Sequence, residues 1–86
     1  MELKPGSRWR SAVCETELVV VRPPRTAVVL ECGGRPVISH TTPRPEVAGP
    51  SPAFAGGSVA GKRYIDPETG VELLCTKAGA GALGLE

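Results

Sequence analysis

Between Arg8 and Ser39 the chain is dominated by β-branched residues, and this bias limits most strongly what it can fold into. Val13, Val19, Val20, Val21, Val28, Val29, Val37 and Ile38, together with Leu30, supply the apolar positions, while helix formers such as Ala and Leu are scarce. Branching at Cβ restricts χ1 in a helix but packs well on a pleated surface, so the segment favours strands. Arg22-Pro23-Pro24-Arg25 interrupts the run and can only be a turn, because neither proline offers a backbone N–H to a ladder. No stretch carries a convincing amphipathic helical pattern. The Gly/Ala-rich end tolerates a helix, but its glycines weaken it.

A second strand pair is expected after Lys62. Lys62-Arg63-Tyr64-Ile65 leads into Asp66-Pro67-Glu68-Thr69-Gly70, and Val71-Glu72-Leu73-Leu74-Cys75-Thr76 follows. Pro67 presets the φ of a type I turn, and Gly70 can take the positive φ that closes the hairpin. Between the two blocks, prolines at 43, 45, 50 and 52 and glycines at 49, 56, 57 and 61 mark a long solvated loop, mobile in the free protein. Phe54 at its centre is a candidate anchor for the core or for a partner.

The chain thus reads as one small all-β domain of two antiparallel β-hairpins, about 13–33 and 62–76, plus a short strand. It opens with an N-terminal arm (1–7), followed by the first hairpin and third strand (8–40). The Pro/Gly-rich loop (41–61), the second hairpin (62–78) and a flexible tail (79–86) complete it. With 86 residues and three aromatics, Trp9, Phe54 and Tyr64, its core must be aliphatic and close to the lower size limit for a single core.

Ten basic and nine acidic residues are interspersed, so no electrostatic footprint points to nucleic acid or an anionic membrane. The longest apolar run, Leu18 to Val21, is strand-sized rather than membrane-spanning. Met1 to Gly6 lacks the apolar core of a signal peptide, and a cytoplasmic location is expected. The closing Leu85-Glu86, a dipeptide that often precedes a purification tag, is given no weight.

Three cysteines in a reducing compartment argue against a disulfide framework. With Pro23 at the centre of the first turn, Leu18 faces Val28, Thr16 faces Leu30 and Cys14 faces Cys32, all on one sheet face. Glu15, Glu17 and Glu31 fall on the other. Opposed β-carbons lie roughly 4.5–5.5 Å apart, slightly wide for a disulfide at about 3.5–4.5 Å. Two thiolates at that separation can share a metal. Cys75 falls on the same face as Val71 and Leu73, so all three thiols can converge. His40, the single histidine, could complete a Cys₃His zinc set. Three outcomes stay open for these residues: a metal site on Cys14, Cys32, Cys75 and His40, inert core thiols, or a reactive thiol.

Trp9-Arg10-Ser11-Ala12-Val13-Cys14, a valine-rich hairpin and Leu30-Glu31-Cys32-Gly33-Gly34-Arg35-Pro36-Val37 together resemble the metal knuckle of the desulforedoxin and rubredoxin-like family. That resemblance implies a small, often dimeric β-domain holding iron or zinc on four thiolates. Cys14 and Cys32 match two of the four ligands, whereas Ser11 and Gly33 stand where the family has the other two. In composition, with Arg preferred to Lys and abundant Ala, Gly, Pro and Val, the chain resembles small proteins of high-GC actinobacteria. This likeness implies no activity.

Gly79, Gly81 and Gly84 have the G-x-G-x-x-G spacing of a dinucleotide loop. Such a loop needs a following helix inside a βαβ unit, and here only two residues follow Gly84. No nucleotide is expected, and the spacing reads as an accident of the tail. With one histidine and no nucleophile elbow or phosphate loop, the chain is expected not to be an enzyme. The expected role is a protein-interaction or accessory module, bound to a protein partner or as a homo-dimer, without nucleic acid, membrane or cofactor. The alternative is a metal protein with structural zinc or mononuclear iron.

Overall fold

The strands form, but they are shorter, more numerous and paired differently than the sequence pattern implies. The structure, a computed structural model, describes residues 2–45, 49–50 and 52–85. Met1 of the expected arm, residues 46–48 and 51 of the loop and Glu86 of the tail lie outside the described residues. Eight strands are described: β1 (Arg8–Arg10), β2 (Glu17–Arg22), β3 (Leu30–Cys32), β4 (Arg35–Pro36), β5 (Ile38–Ser39), β6 (Arg63–Ile65), β7 (Glu72–Lys77) and β8 (Leu83–Leu85). A single 3₁₀ turn, Pro52–Phe54, joins them. One sheet has the order β5-β1-β2-β7-β6 and the other β4-β3-β8, with every pairing antiparallel. The molecule is a small all-β domain. Among the described residues no helix is long and apolar enough to cross a membrane.

The second hairpin forms as its turn chemistry dictates, with Arg63 opposite Leu74, Tyr64 opposite Leu73 and Ile65 opposite Glu72. The Asp66 carboxylate accepts from the Glu68 and Thr69 N–H groups at 3.4 and 3.2 Å and from the Thr69 hydroxyl at 2.7 Å. Gly70 takes φ +77° and donates its N–H to the Asp66 carbonyl at 2.8 Å. These are local bonds, so a few residues specify them.

The first hairpin does not form. β2 pairs with β1 on one edge and β7 on the other, whereas β3 lies in the second sheet between β4 and β8. Both edges of β2 are occupied, which leaves β3 no ladder there. The connection also leaves the sheet. The Arg25 N–H donates to the Thr69 carbonyl at 2.7 Å, and its guanidinium donates to the carbonyls of Glu68 at 2.6 Å and Pro67 at 3.2 Å. After two prolines that cannot join a ladder, this anchor carries the chain across to the second sheet. Glu31, expected on the same hairpin face as Glu15, pairs with Pro36 and Gly84 in the second sheet. Glu15 instead bonds Lys77 at 3.1 Å and Arg44 at 3.3 Å.

β3 turns into β4 through Gly33 and Gly34, whose φ angles of +69° and +87° are those a two-residue type I′ turn requires. At Val37 the chain changes sheets. Its N–H donates to the Leu30 carbonyl, and the next two residues pair with β1. Residues 79–86, expected as a flexible tail, contain β8, whose Leu83 and Leu85 sit opposite Cys32 and Leu30.

The core is as aliphatic as the composition demands: Leu3, Leu18, Val20, Leu30, Val37, Val71 and Leu73, with Cys32 and Cys75 fully buried among them. Each such aliphatic side chain contributes about 1.5–3 kcal/mol on leaving water. The alternation read from sequence holds along β2, where Leu18 and Val20 are buried and Glu17 and Val19 are less so.

Candidate functional site

Ser11 to Thr16 connect β1 to β2 as a series of bends rather than a strand. The Ser11 hydroxyl oxygen makes the bend by accepting the N–H groups of Val13 and Cys14, each at 3.1 Å. The Ser11 N–H closes the loop onto the Thr16 carbonyl at 2.9 Å. Cys14 is thereby turned toward β3, and its sulfur lies 3.9 Å from that of Cys32. The expected pairing of these two cysteines is present, reached by packing a loop from one sheet over a strand of the other.

A chain of hydroxyls leads away from Cys14. Its thiol donates to Thr16 Oγ1 at 3.3 Å, Thr16 and Ser58 share a 2.6 Å hydrogen bond, and the Ser58 hydroxyl donates to the Gly79 carbonyl at 3.5 Å. Thr16 is fully buried and Ser58 nearly so, so each needs its partners. Hydroxyl protons rotate freely. When Cys14 loses its proton, the Thr16 hydroxyl turns to donate to the sulfur and Ser58 donates to Thr16 in its place. The Gly81 N–H already points at the sulfur from 3.4 Å.

The two sulfurs are therefore unequal. Burial alone pushes the Cys14 thiol up, but donors from Ser11, Thr16 and the Gly81 backbone outweigh it and bring the pKa to about 7. Burial dominates at Cys32 and pushes its thiol up to about 11, with the neighbouring Cys14 charge adding to the effect. Cys14 is half-buried, and Cys32 has no exposed surface.

The backbone of Gly79 to Gly81 lies directly on this pair. A Cβ on Gly79 would stand 2.4 Å from Thr16 Oγ1 and 3.1 Å from the Cys14 sulfur. One on Gly81 would stand 3.0 Å from the Cys32 sulfur and 2.9 Å from the Gly33 nitrogen. The first two glycines of the G-x-G-x-x-G spacing are thus held by close contact with Thr16, the Gly33 backbone and the two sulfurs, which has no connection with a nucleotide loop. A Cβ on Gly84 would make only an ordinary 3.6 Å contact with Phe54.

The remaining candidate ligands lie elsewhere. The Cys75 thiol, on β7, donates to the Lys77 carbonyl at 3.2 Å. Its predicted place on the core face with Val71 and Leu73 holds. His40 is exposed just beyond β5, its backbone N–H on the Arg8 carbonyl. Among the described residues no group of three or more His, Cys, Asp or Glu side chains is placed to hold a metal ion. The structure also bears on the two missing knuckle positions. Gly33 has no room for a side chain, since a Cβ would meet Val13 Cγ2 at 2.6 Å. Ser11 does reach the sulfur pair, but as a hydroxyl already accepting two N–H groups. A four-thiolate centre does not fit these residues.

Sequence reasoning missed Ser11, Thr16, Ser58, Gly79 and Gly81 as members of this site. The one available signal was the alternation of Gly79 and Gly81, which places both on the same side of an extended backbone. Comparison with protein-family models, with curated proteins and with solved structures gives no match to this chain.

Proposed function

We propose that this chain is a non-catalytic, cytoplasmic accessory domain that works by binding a protein partner along the edge strand β6. The observation that carries this reading is where its most exposed large apolar side chains lie. Val59 and Ile65, 58% and 60% exposed, flank β6 at the edge of the five-stranded sheet. Ile65 also borders a groove of about 210 Å³ that runs between the sheets over Leu30, Val71, Leu73 and Leu83. An edge strand offers backbone groups to an added extended segment, and an adjoining groove takes one of its apolar side chains.

A photo-crosslinking residue introduced at Ile65 tests this in the native host. A discrete adduct from position 65, absent from the same probe at exposed Thr41, is the expected result. An adduct of twice the chain's mass would make the partner a second copy. Equal labelling from both positions, or none from position 65, would overturn the reading.

The alternative is a metal protein, with structural zinc or a single iron. It draws support from the 3.9 Å separation of the Cys14 and Cys32 sulfurs. Two thiolates on one tetrahedral zinc, each at about 2.3 Å, stand about 3.8 Å apart. Cys75 and His40 give it no support. Elemental analysis of protein purified without chelators decides it, and one equivalent of zinc or iron would replace the interaction reading of the cysteines.

A further inference from the structure

We propose that Cys14 and Cys32 form a thiol–disulfide exchange site for disulfides of small thiols, with Cys14 the attacking sulfur and Cys32 the resolving one. The geometry separates the two roles. Cys14 sits on a bend and is partly exposed, while Cys32 is fully buried with its sulfur 3.9 Å from that of Cys14. A mixed disulfide on Cys14 would thus hold its sulfur within contact of one internal thiol. The Gly81 N–H and the turned Thr16 hydroxyl stabilise the attacking thiolate at Cys14. Because Gly79 and Gly81 carry no side chains, their backbone packs closely against the two sulfurs.

In the first step the Cys14 sulfur, having given up its proton, attacks one sulfur of the small disulfide. The Cys14–sulfur bond forms, the disulfide breaks, and the departing thiolate takes up a proton. Cys32 then loses its proton and attacks the Cys14 sulfur, closing the protein disulfide and expelling the second small thiol. The two protein thiols lose two electrons, the small disulfide gains them, and two protons pass from Cys14 and Cys32 to the two products. Closure shortens the sulfur separation to about 2.05 Å. Cys75, with its thiol donating to a strand carbonyl in the core, takes no part.

Glutathione disulfide added to the reduced, metal-free full chain, followed by acid quench, alkylation and mass spectrometry, tests the assignment. The wild type should lose the mass of two hydrogen atoms and yield a linked peptide pair containing Cys14 and Cys32. Cys32→Ser should stop at one glutathionyl group on Cys14, Cys14→Ser should give neither product, and Cys75→Ser should behave as the wild type. Circular dichroism of each variant confirms its fold, and the wild-type peptide map stands without any variant. A wild type that stops at the mixed disulfide would overturn the proposal. So would a disulfide involving Cys75, or sulfurs at Cys14 and Cys32 that leave the glutathione disulfide unreacted.

Discussion

Cys32 and Cys75 are equally buried in one aliphatic core, yet their surroundings differ. The Cys75 thiol donates to a carbonyl, and its side chain is buried in the aliphatic core. Around Cys32 and its neighbour Cys14 the groups are hydroxyls and a backbone N–H that donate, and the covering chain has been stripped to glycine. Burial alone would make all three thiols inert. What distinguishes Cys14 is the Gly81 N–H aimed at its sulfur and a hydroxyl chain that can turn to donate to it, whereas Cys75 donates to a carbonyl.

The glycine cover gives that contrast its largest expected effect. Gly79→Ala or Gly81→Ala forces a methyl group to 2.5 or 2.9 Å from a backbone nitrogen and to 3.1 or 3.0 Å from a sulfur, and each should destabilise the fold by about 3 kcal/mol in urea unfolding. Gly84→Ala, in the same tail, should stay within about 0.5 kcal/mol. Equal effects at all three positions would remove the special status of the sulfur pair. Next in size is Cys75→Ala, which should cost about 1.5 kcal/mol through lost core packing while leaving exchange at Cys14 unchanged.

Thr16→Val removes a donor to the Cys14 thiolate and leaves the buried Ser58 hydroxyl only the Gly79 carbonyl. The pH midpoint of Cys14 alkylation should rise by about one unit, a readout that a purely structural role would not move. The pH dependence of stability has opposite signs at the two sulfurs. Cys14 ionises more readily when folded, so its contribution is present above the ordinary thiol range and is lost as the pH falls through about 7. Cys32 resists ionisation, so its contribution is full below the ordinary thiol range and is lost as the pH rises through about 11. Urea midpoints should therefore peak between these limits. Cys14→Ala should flatten the lower limb and Cys32→Ala the upper.

The β6–β7 hairpin was legible because Asp66, Pro67 and Gly70 act within one turn, and local chemistry decides it. The all-β class followed from the same kind of information, the valine bias and the prolines. Pairing partners did not, because they depend on which strand reaches an edge first. The three-residue β1 was enough to occupy the side of β2 assigned to β3. β8 was hidden for a related reason: Leu83-Gly84-Leu85 has little strand propensity, and its pairing depends on β3 being free. The approach of Cys14 to Cys32 was anticipated from a register that does not exist. The Ser11 bend and the packing of the two sheets produce it instead, and neither leaves a mark at Cys14 itself.

Alkylation of the folded protein as a function of pH, resolved to each cysteine by peptide mass mapping, addresses the difference between the sulfurs most directly. Cys14 should react with a midpoint near pH 7, Cys32 only well above the ordinary thiol range, and Cys75 only when the chain unfolds. Cys14 and Cys32 titrating together in the ordinary thiol range, or Cys75 reacting in the folded protein before Cys14, would contradict it.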